Sequence, residues 1–506
     1  MKAKNTKVLI IMDGFGKPVD AKRSAVLKEN TTFLQHLQKN YPNGLLNASG
    51  ESVGLPKGAT GTSDVGHLTI GTGRTIFQPL ARINKSIETG EFDKNKVILS
   101  AIEHAKKNNK SLHLLGIPTD GAVHGHIDHL LKLLELCAKH KLSNVYVHYF
   151  TDGRDTPPKS ALKYYDIIQN KINELKVGEI STVIGRFYSL DRDKNWDRVE
   201  KAYDLMISGK GFACTDLRKG IQKLYDKGQT DEFLDPLIKK GTKGTIKEGD
   251  AVIIYNYRAD RERQLAYALS DSSELKFSKK LGLKIVCMVE YDEDLKDVLV
   301  AYPTIKHNQI LSEVLSNRGY KQLKIAETEK YAYITFSFNA GENDPFENED
   351  RKLIASEKMP LYSKKPEMSA KQITDIAVEA IKSKQYDCII INYANCDMVG
   401  HSGDKAAAKI AVDVVDQSVR AVTEATLAEG GELIITADHG NSDIMEYEDG
   451  SPHTAHTTNL VPVFIVGKRF AGKKLNIQGT LADIAPTYLK LLGEKQPKEM
   501  SGTALY

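Results

Sequence analysis

Cysteine is scarce in this 506-residue chain. There are five, Cys137, Cys214, Cys287, Cys388 and Cys396, and no two form a Cys-x-x-Cys pair. An odd, scattered set argues against a disulfide framework and points to a reducing compartment. Long apolar runs are missing too, and none approaches the ~20 residues of a membrane span. The opening Met1-Lys2-Ala3-Lys4-Asn5 leads into an apolar stretch too short for the core of a signal peptide. The expected location is cytoplasmic, with no membrane partner. Charge of one sign is also lacking: 70 basic side chains stand against 66 acidic ones, a net charge of +4. That excludes the basic footprint of a nucleic-acid binder. There is no internal repeat and no low-complexity tract.

What is present is a recurring unit: an apolar run followed by a polar corner. Val8-Leu9-Ile10-Ile11-Met12 ends in Asp13-Gly14, and Leu112 to Leu115 ends in Gly116 to Gly121. Val145 to Phe150 ends in Thr151-Asp152-Gly153-Arg154-Asp155, and Ala251 to Tyr255 in Asn256-Tyr257-Arg258. Cys388 to Ile391 runs into Asn395-Cys396-Asp397, and Glu432 to Ile435 into Thr436-Ala437-Asp438-His439-Gly440-Asn441. Helical periodicity lies between them. From Ser160 to about Lys176 it follows Pro157-Pro158, and from Ile310 to Asn317 it stops at Gly319. Strands alternating with helices predict α/β domains with largely parallel sheets. Ligands then sit beyond the carboxyl ends of the strands, where the polar corners fall.

The length calls for two domains. Breaks near Phe77-Gln78-Pro79 and Tyr302-Pro303-Thr304 divide the chain into 1–77 with 305–506, and an insert, 78–304. Asp and His mark strand ends outside the breaks, and Arg marks the corners between them.

Four groups of residues carry chemistry. The first is Asp13, Asp397 with His401 four residues on, Asp438-His439, and His453 and His456. Spacing of four places Asp397 and His401 on one face of a helical turn. Carboxylates with imidazoles suit Mn²⁺, Zn²⁺ or iron rather than Ca²⁺, and a two-metal site is the reading. The second is Gly58-Ala59-Thr60-Gly61-Thr62-Ser63-Asp64-Val65-Gly66-His67, a Gly-rich corner opening a helix. No Gly-Lys-Ser follows, so it is not a Walker loop. Ser63 reads either as a helix N-cap or as a nucleophile activated by the helix dipole and a metal. The third is Arg154, Asp155, Arg186, Arg192, Arg258 and Arg261, with Lys330 as a point charge. Arginine forks match carboxylate and phosphate oxygens, so the set reads as a clamp for a small polyanion. His124, His126 and His129 could form a zinc site, or one could contact substrate while the others cap or pack.

These motifs resemble the cofactor-independent (2,3-bisphosphoglycerate-independent) phosphoglycerate mutases of the alkaline-phosphatase-like superfamily. The likeness runs nearly end to end, through Ile11-Met12-Asp13-Gly14-Phe15-Gly16, Val65-Gly66-His67, Arg82-Ile83-Asn84-Lys85 and Asp152-Gly153-Arg154-Asp155. It continues through Asn395-Cys396-Asp397-Met398-Val399-Gly400-His401, Ala437-Asp438-His439-Gly440-Asn441 and Pro452-His453-Thr454-Ala455-His456-Thr457. The resemblance implies an alkaline-phosphatase-like core with an inserted transferase domain, acting as a monomer. It implies one metal on Asp13, Ser63, Asp438 and His439, and another on Asp397, His401 and His456, both Mn²⁺ with Mg²⁺, Co²⁺ or Zn²⁺ as alternatives. Ser63 would accept the phosphoryl group of a phosphoglycerate and return it to the other hydroxyl, interconverting 2- and 3-phosphoglycerate in glycolysis and gluconeogenesis. His124, Arg154, Asp155, Arg186, Arg192, Arg258, Arg261 and Lys330 match substrate positions, with Asp155 as general base. Around the nucleophile the chain departs from the family's usual Met-Gly-Asn-Ser-Glu, reading Thr60-Gly61-Thr62-Ser63-Asp64. His453 is not among the implied ligands. The alternatives are a phosphohydrolase of the same superfamily and a non-catalytic metal- or nucleic-acid-binding protein.

Overall fold

A computed structural model describes residues 5–474 and 476–506. The first four residues of the N-terminal reading therefore lie outside the described part. Two compact units emerge, Met1–Gln78 with Lys306–Tyr506, and Pro79–Ile305.

Strands are numbered along the whole chain. The first unit holds β1 (Lys7–Met12), β2 (Asn43–Asn47), β11 (Gln322–Glu327), β12 (Glu349–Ile354), β13 (Cys388–Tyr393), β14 (Glu432–Thr436), β15 (Val461–Val466) and β16 (Asn476–Thr480). They form one sheet in the order β12-β11-β13-β1-β14-β15-β2-β16. β1 is central and parallel to both neighbours, with Leu9 opposite Ile390 on one side and Ile434 on the other. All six of its residues are buried, Lys7 paired with Glu432 at 2.9 Å and Val8 to Met12 as an apolar run covered on both faces. Each of Val8, Leu9, Ile10 and Ile11 gains about 1.5–3 kcal/mol from that burial. β15 runs antiparallel to β14 and β2, so the sheet is mixed rather than uniformly parallel. The carboxyl ends of β1, β13 and β14 are adjacent, and Asp13, Asp397 and Asp438 follow them.

The second unit holds β3 (Leu112–Gly116), β4 (Val145–Thr151), β5 (Glu179–Gly185), β6 (Phe212–Cys214), β7 (Leu237–Lys239), β8 (Ala251–Ile254), β9 (Lys284–Val289) and β10 (Val298–Tyr302). Their order is β10-β9-β8-β3-β4-β5-β7-β6, with β7 antiparallel to β5. Here β8, β3, β4 and β5 are adjacent and parallel, and their carboxyl ends lead to Arg258, His124, Asp155 and Arg186.

A buried polar chain crosses this second sheet. His113 Nε2 lies 3.2 Å from Asp250 Oδ2, His113 Nδ1 lies 2.9 Å from His148 Nε2, and His148 Nδ1 lies 2.8 Å from Thr182 Oγ1. The proton order follows from its acidic end. The Asp250 carboxyl is held low despite burial by His113 and two backbone N–H groups, so it accepts. His113 therefore donates from Nε2, His148 donates to His113, and Thr182 donates to His148. Burial lowers the pKa of both imidazoles, His148 well below the usual value. A folded-state pKa below the unfolded one near 6.5 gives stability that is full above pH 6.5 and is lost as pH falls. The melting temperature of the chain should therefore drop between pH 7.5 and pH 5.5, and the drop should shrink in the His113→Asn/His148→Gln double variant. An equal drop in both proteins would count against this account.

Candidate metal centre and anion site

Ser63 opens the helix Ser63–Thr72. The N-cap is Thr62, whose side chain accepts from Val65 N at 3.5 Å, so the capping reading of Ser63 is corrected. Freed from capping, Ser63 Oγ lies 2.7 Å from Lys330 Nζ, 3.0 Å from His439 Nε2 and 3.3 Å from Asp13 Oδ1. Lys330 also reaches Asp397 Oδ2 at 2.6 Å and Asp13 Oδ1 at 2.8 Å. It comes from the short helix Thr328–Ala332 that follows β11. Gly14, at φ +74°, allows the corner after β1 to pass against the helix carrying Asp397. A Cβ there would lie 2.6 Å from Asp397 Cα.

The imidazoles show what the centre is built to hold. His401 Nδ1 donates to Thr454 O at 2.7 Å, and His456 Nδ1 donates to Gly61 O at 2.7 Å. Both Nε2 lone pairs are thereby turned inward. The two Nε2 atoms are 3.0 Å apart, and they lie 3.2 and 3.1 Å from Asp397 Oδ1. Three such atoms at these distances repel unless protons or a cation stand among them, and, although burial opposes it at His456, the Asp397 carboxylate does raise the pKa of both imidazoles. Asp438 Oδ2 is buried without a well-formed hydrogen bond, although His67 Nδ1 is only 3.2 Å away. Two groups have donor atoms within 4.8 Å of one another: Asp397, His439 and His456, and Asp13, His67 and Asp438. The donor set fits two divalent cations, with Asp13 and Asp438 as donors to the second, since both His67 nitrogens are already hydrogen-bonded. His439 falls with Asp397 in this grouping, whereas the resemblance implies it on the other metal.

Electrostatics agree with a cation site. Burial pushes the Asp13 carboxyl up, and the neighbouring charge of Asp438 adds to the rise. For Asp397 burial acts in the same direction, but Lys330, His401 and His456 outweigh it and hold the carboxyl well below its usual range. Burial opposes charge on Lys330, yet Asp13, Asp397 and Asp438 together raise its pKa.

The second unit gathers the other expected residues. Arg186 is buried and donates from one nitrogen to Asp152 Oδ1 at 2.6 Å and to Asp155 Oδ2 at 2.5 Å, and from another to His124 Nε2 at 2.7 Å. His124 is thus the Nδ1–H tautomer. Burial and the charges of Arg186 and Arg258 lower its pKa to about 4, so it is neutral at pH 7. Burial works to raise the Asp155 pKa, but Arg186 prevails and keeps the carboxylate ionised. Asp260 holds Arg192 at 2.9 Å with one oxygen and Arg258 at 2.9 Å with the other. Arg261 donates to Leu190 O at 3.1 Å, and Arg154 is exposed beside Glu232. The three histidines of the 124–129 segment diverge. His126 caps the helix Ile127–Lys139, and His129 Nε2 lies 2.8 Å from Asn84 Oδ1. Among the described residues they form no metal group. The zinc reading of this segment is therefore not supported.

Known proteins can now be set beside this geometry. Residues 83–293 match the family model described as the BPG-independent PGAM N-terminus. The chain is 47% identical to the 2,3-bisphosphoglycerate-independent phosphoglycerate mutase of Clostridium novyi (strain NT) over 509 aligned positions, covering 100% of both chains. It is 46% identical to the enzyme of that name from Listeria welshimeri serovar 6b, covering 99% of each. The chain belongs to the 2,3-bisphosphoglycerate-independent phosphoglycerate mutases. A crystal structure of Leishmania mexicana phosphoglycerate mutase at low cobalt concentration aligns with 99% of this chain and 98% of its own, at 28% identity and a TM-score of 0.60. Among the described residues, no helix of this mutase is long and apolar enough to cross a membrane.

Several residues around the mutase's metal centre escaped the sequence reading. His67 lies one helical turn after Ser63. Its Nδ1 donates to Ser63 O at 2.8 Å, and its Nε2 accepts from Asn392 Nδ2 at 3.0 Å. Burial opposes charge on His67, but Asp438 and Asp13 raise its pKa. Asn392 also donates to Asp13 Oδ2 at 2.9 Å, and Asn441 to Asp397 Oδ1 at 2.8 Å. The spacing of four from Ser63 was the available signal for His67; nothing local marks Asn392, buried inside an apolar strand. Asp64, where the family usually has Glu, accepts from Ser337 Oγ at 2.5 Å. His453 packs edge-on to Tyr447 and belongs to neither metal group.

Proposed function

We propose that this mutase interconverts 2- and 3-phosphoglycerate through a phosphoserine on Ser63, with no bisphosphoglycerate required. The observation that carries the reading is the Ser63 hydroxyl, set within hydrogen-bond reach of Lys330, His439 and Asp13 beside the paired cation sites. Asp13, Ser63, Asp438 and His439 would hold one divalent cation, and Asp397, His401 and His456 the other, Mn²⁺ being the metal expected. Cations there supply positive charge to a transferring phosphoryl group and lower the pKa of the Ser63 hydroxyl.

The chain's own groups do the rest. Ser63 Oγ loses its proton and bonds to phosphorus as the bond from phosphorus to the glycerate oxygen breaks, and that released oxygen takes up a proton to become a hydroxyl. Lys330 neutralises the phosphoryl oxygens. Arg154, Arg186, Arg192, Arg258 and Arg261, with neutral His124 as a hydrogen-bonding partner, hold the glycerate while it reorients. Asp155, ionised, takes the proton of the second hydroxyl as that oxygen attacks the phosphoserine. In this reading the first unit is the metal-binding phosphatase-like domain and Pro79–Ile305 is the substrate-binding transferase domain. We take the protein to be a cytoplasmic monomer, and its five free cysteines suit a reducing compartment.

The deciding experiment incubates the Mn²⁺-loaded protein with 3-phosphoglycerate and no added bisphosphoglycerate, followed by phosphorus NMR. The signal of 2-phosphoglycerate should grow while free phosphate stays at the blank level. Stoichiometric free phosphate would instead make the chain a hydrolase.

A further inference from the structure

Beside the substrate arginines, the second unit buries a carboxyl group that the reaction does not use. Glu262 follows Arg261 in the helix Ala259–Leu269 and is fully buried. Its Oε1 accepts from Asn256 Nδ2 at 2.5 Å, and its Oε2 is buried with no hydrogen-bond partner. Asn256 is fully buried as well, two residues before Arg258. Its Oδ1 accepts the backbone N–H of Ile117 at 2.9 Å. The next N–H, of Tyr257, donates to His124 O at 2.7 Å. Gly125 makes the approach possible, since a Cβ there would lie 2.3 Å from Asn256 Oδ1. The Asn256 amide and the Tyr257 N–H beside it therefore tie together the segments that carry His124, Arg258 and Arg261.

Resting on the reading that those three residues hold the glycerate, we infer that Asn256 and Glu262 form a proton-operated latch that fixes them while Glu262 is neutral and loosens them when it ionises. A buried carboxylate with a single amide donor and one bare oxygen is poorly compensated. It gains by drawing the start of the helix away from the β8 corner until water reaches it. Burial pushes the Glu262 pKa up to about 8, against the opposing pull of Asn256 and of Arg186 and Arg261, and with Asp260 adding to the rise. The other titratable groups facing it are Tyr255, Cys287 and Tyr291, each of which feels its charge. None is cationic, so none would stabilise the ionised form.

The test is the KM for 3-phosphoglycerate between pH 7 and pH 9, metal-saturated, for the wild-type enzyme, Glu262→Gln, Asn256→Ala and the double variant. In the wild type KM should rise about tenfold, the limit for one ionisation near 8 that abolishes binding, while kcat changes far less. Glu262→Gln keeps the shape and cannot ionise, so its KM should stay flat across the range. Asn256→Ala should have a raised KM already at pH 7, and adding Glu262→Gln should raise it no further. The same alkaline rise in Glu262→Gln as in the wild type would overturn the latch, and that variant decides even if Asn256→Ala folds poorly. A wild type that forms no 2-phosphoglycerate at any pH would instead overturn the substrate reading.

Discussion

Ser63→Ala should lower kcat for 2-/3-phosphoglycerate interconversion by about 10⁴-fold or more, the size of effect seen when a covalent nucleophile is removed. The reason lies in how the hydroxyl is held. Lys330, His439 and Asp13 converge on one oxygen, and each is itself held by other buried groups. Without Oγ those groups remain but have nothing to activate. Stability should fall by no more than a few kcal/mol, because the variant removes one hydroxyl and leaves the charge balance of Asp13, Asp397 and Lys330 intact; the hydrogen bonds lost go to charged partners, Lys330 and Asp13, and are worth about 1.5–3 kcal/mol each. The variant should therefore remain folded while phosphorus NMR shows no exchange of the phosphoryl group. Near-normal turnover would remove Ser63 from the mechanism.

Chelation should have an effect as large. Asp13, Asp397 and Asp438 are buried together, and Lys330 is the lysine that reaches Asp13 and Asp397. Prolonged treatment with a chelator should take activity below about 1% of the loaded enzyme, since only groups that stabilise the transferring phosphoryl group would have been removed. It should also lower the urea midpoint. Each site occupied at a hundredfold excess over Kd adds about 2.7 kcal/mol to the folded state, and that contribution is what the chelator withdraws. Adding Mn²⁺ should restore both. Full activity after the metal has been removed to below stoichiometry, measured by elemental analysis, would refute the assignment.

The strands that carry the two sites were legible because each is a nearly unbroken apolar run meeting an Asp-, Asn- or Arg-bearing corner. β1, β3, β4, β8, β13 and β14 all have that form. β11 does not, and its sequence hides it: Gln322, Lys324 and Glu327 are buried within Gln-Leu-Lys-Ile-Ala-Glu. Lys324 can be there because its Nζ reaches Asn339 Oδ1 at 2.5 Å and Glu349 Oε1 at 3.3 Å, partners far away in sequence. Period-2 reasoning assigns such residues to solvent. β2 and β16 were missed for a related reason, being short, edge-side and rich in Asn, Gly and Gln. In the candidate site, the residues with unusual chemistry at strand ends could be found. Asn392 and Asn441, which orient Asp13, His67 and Asp397, could not, because an amide has no local pattern that distinguishes such a partner from an ordinary turn. Glu262 has no mark in the sequence, standing in a run of Asp-Arg-Glu-Arg, and only burial separates it from its neighbours.

The place of β1 in its sheet has a consequence for synthesis. It is made first, yet its two neighbours, beginning at Cys388 and Glu432, leave the ribosome some 400 residues later. At about 5–20 residues per second, this apolar strand waits on the order of 20–80 s without a partner. The intervening Pro79–Ile305 segment has its own core and can fold during that interval. Val8 to Met12 is therefore the segment most in need of a chaperone while the chain is being made.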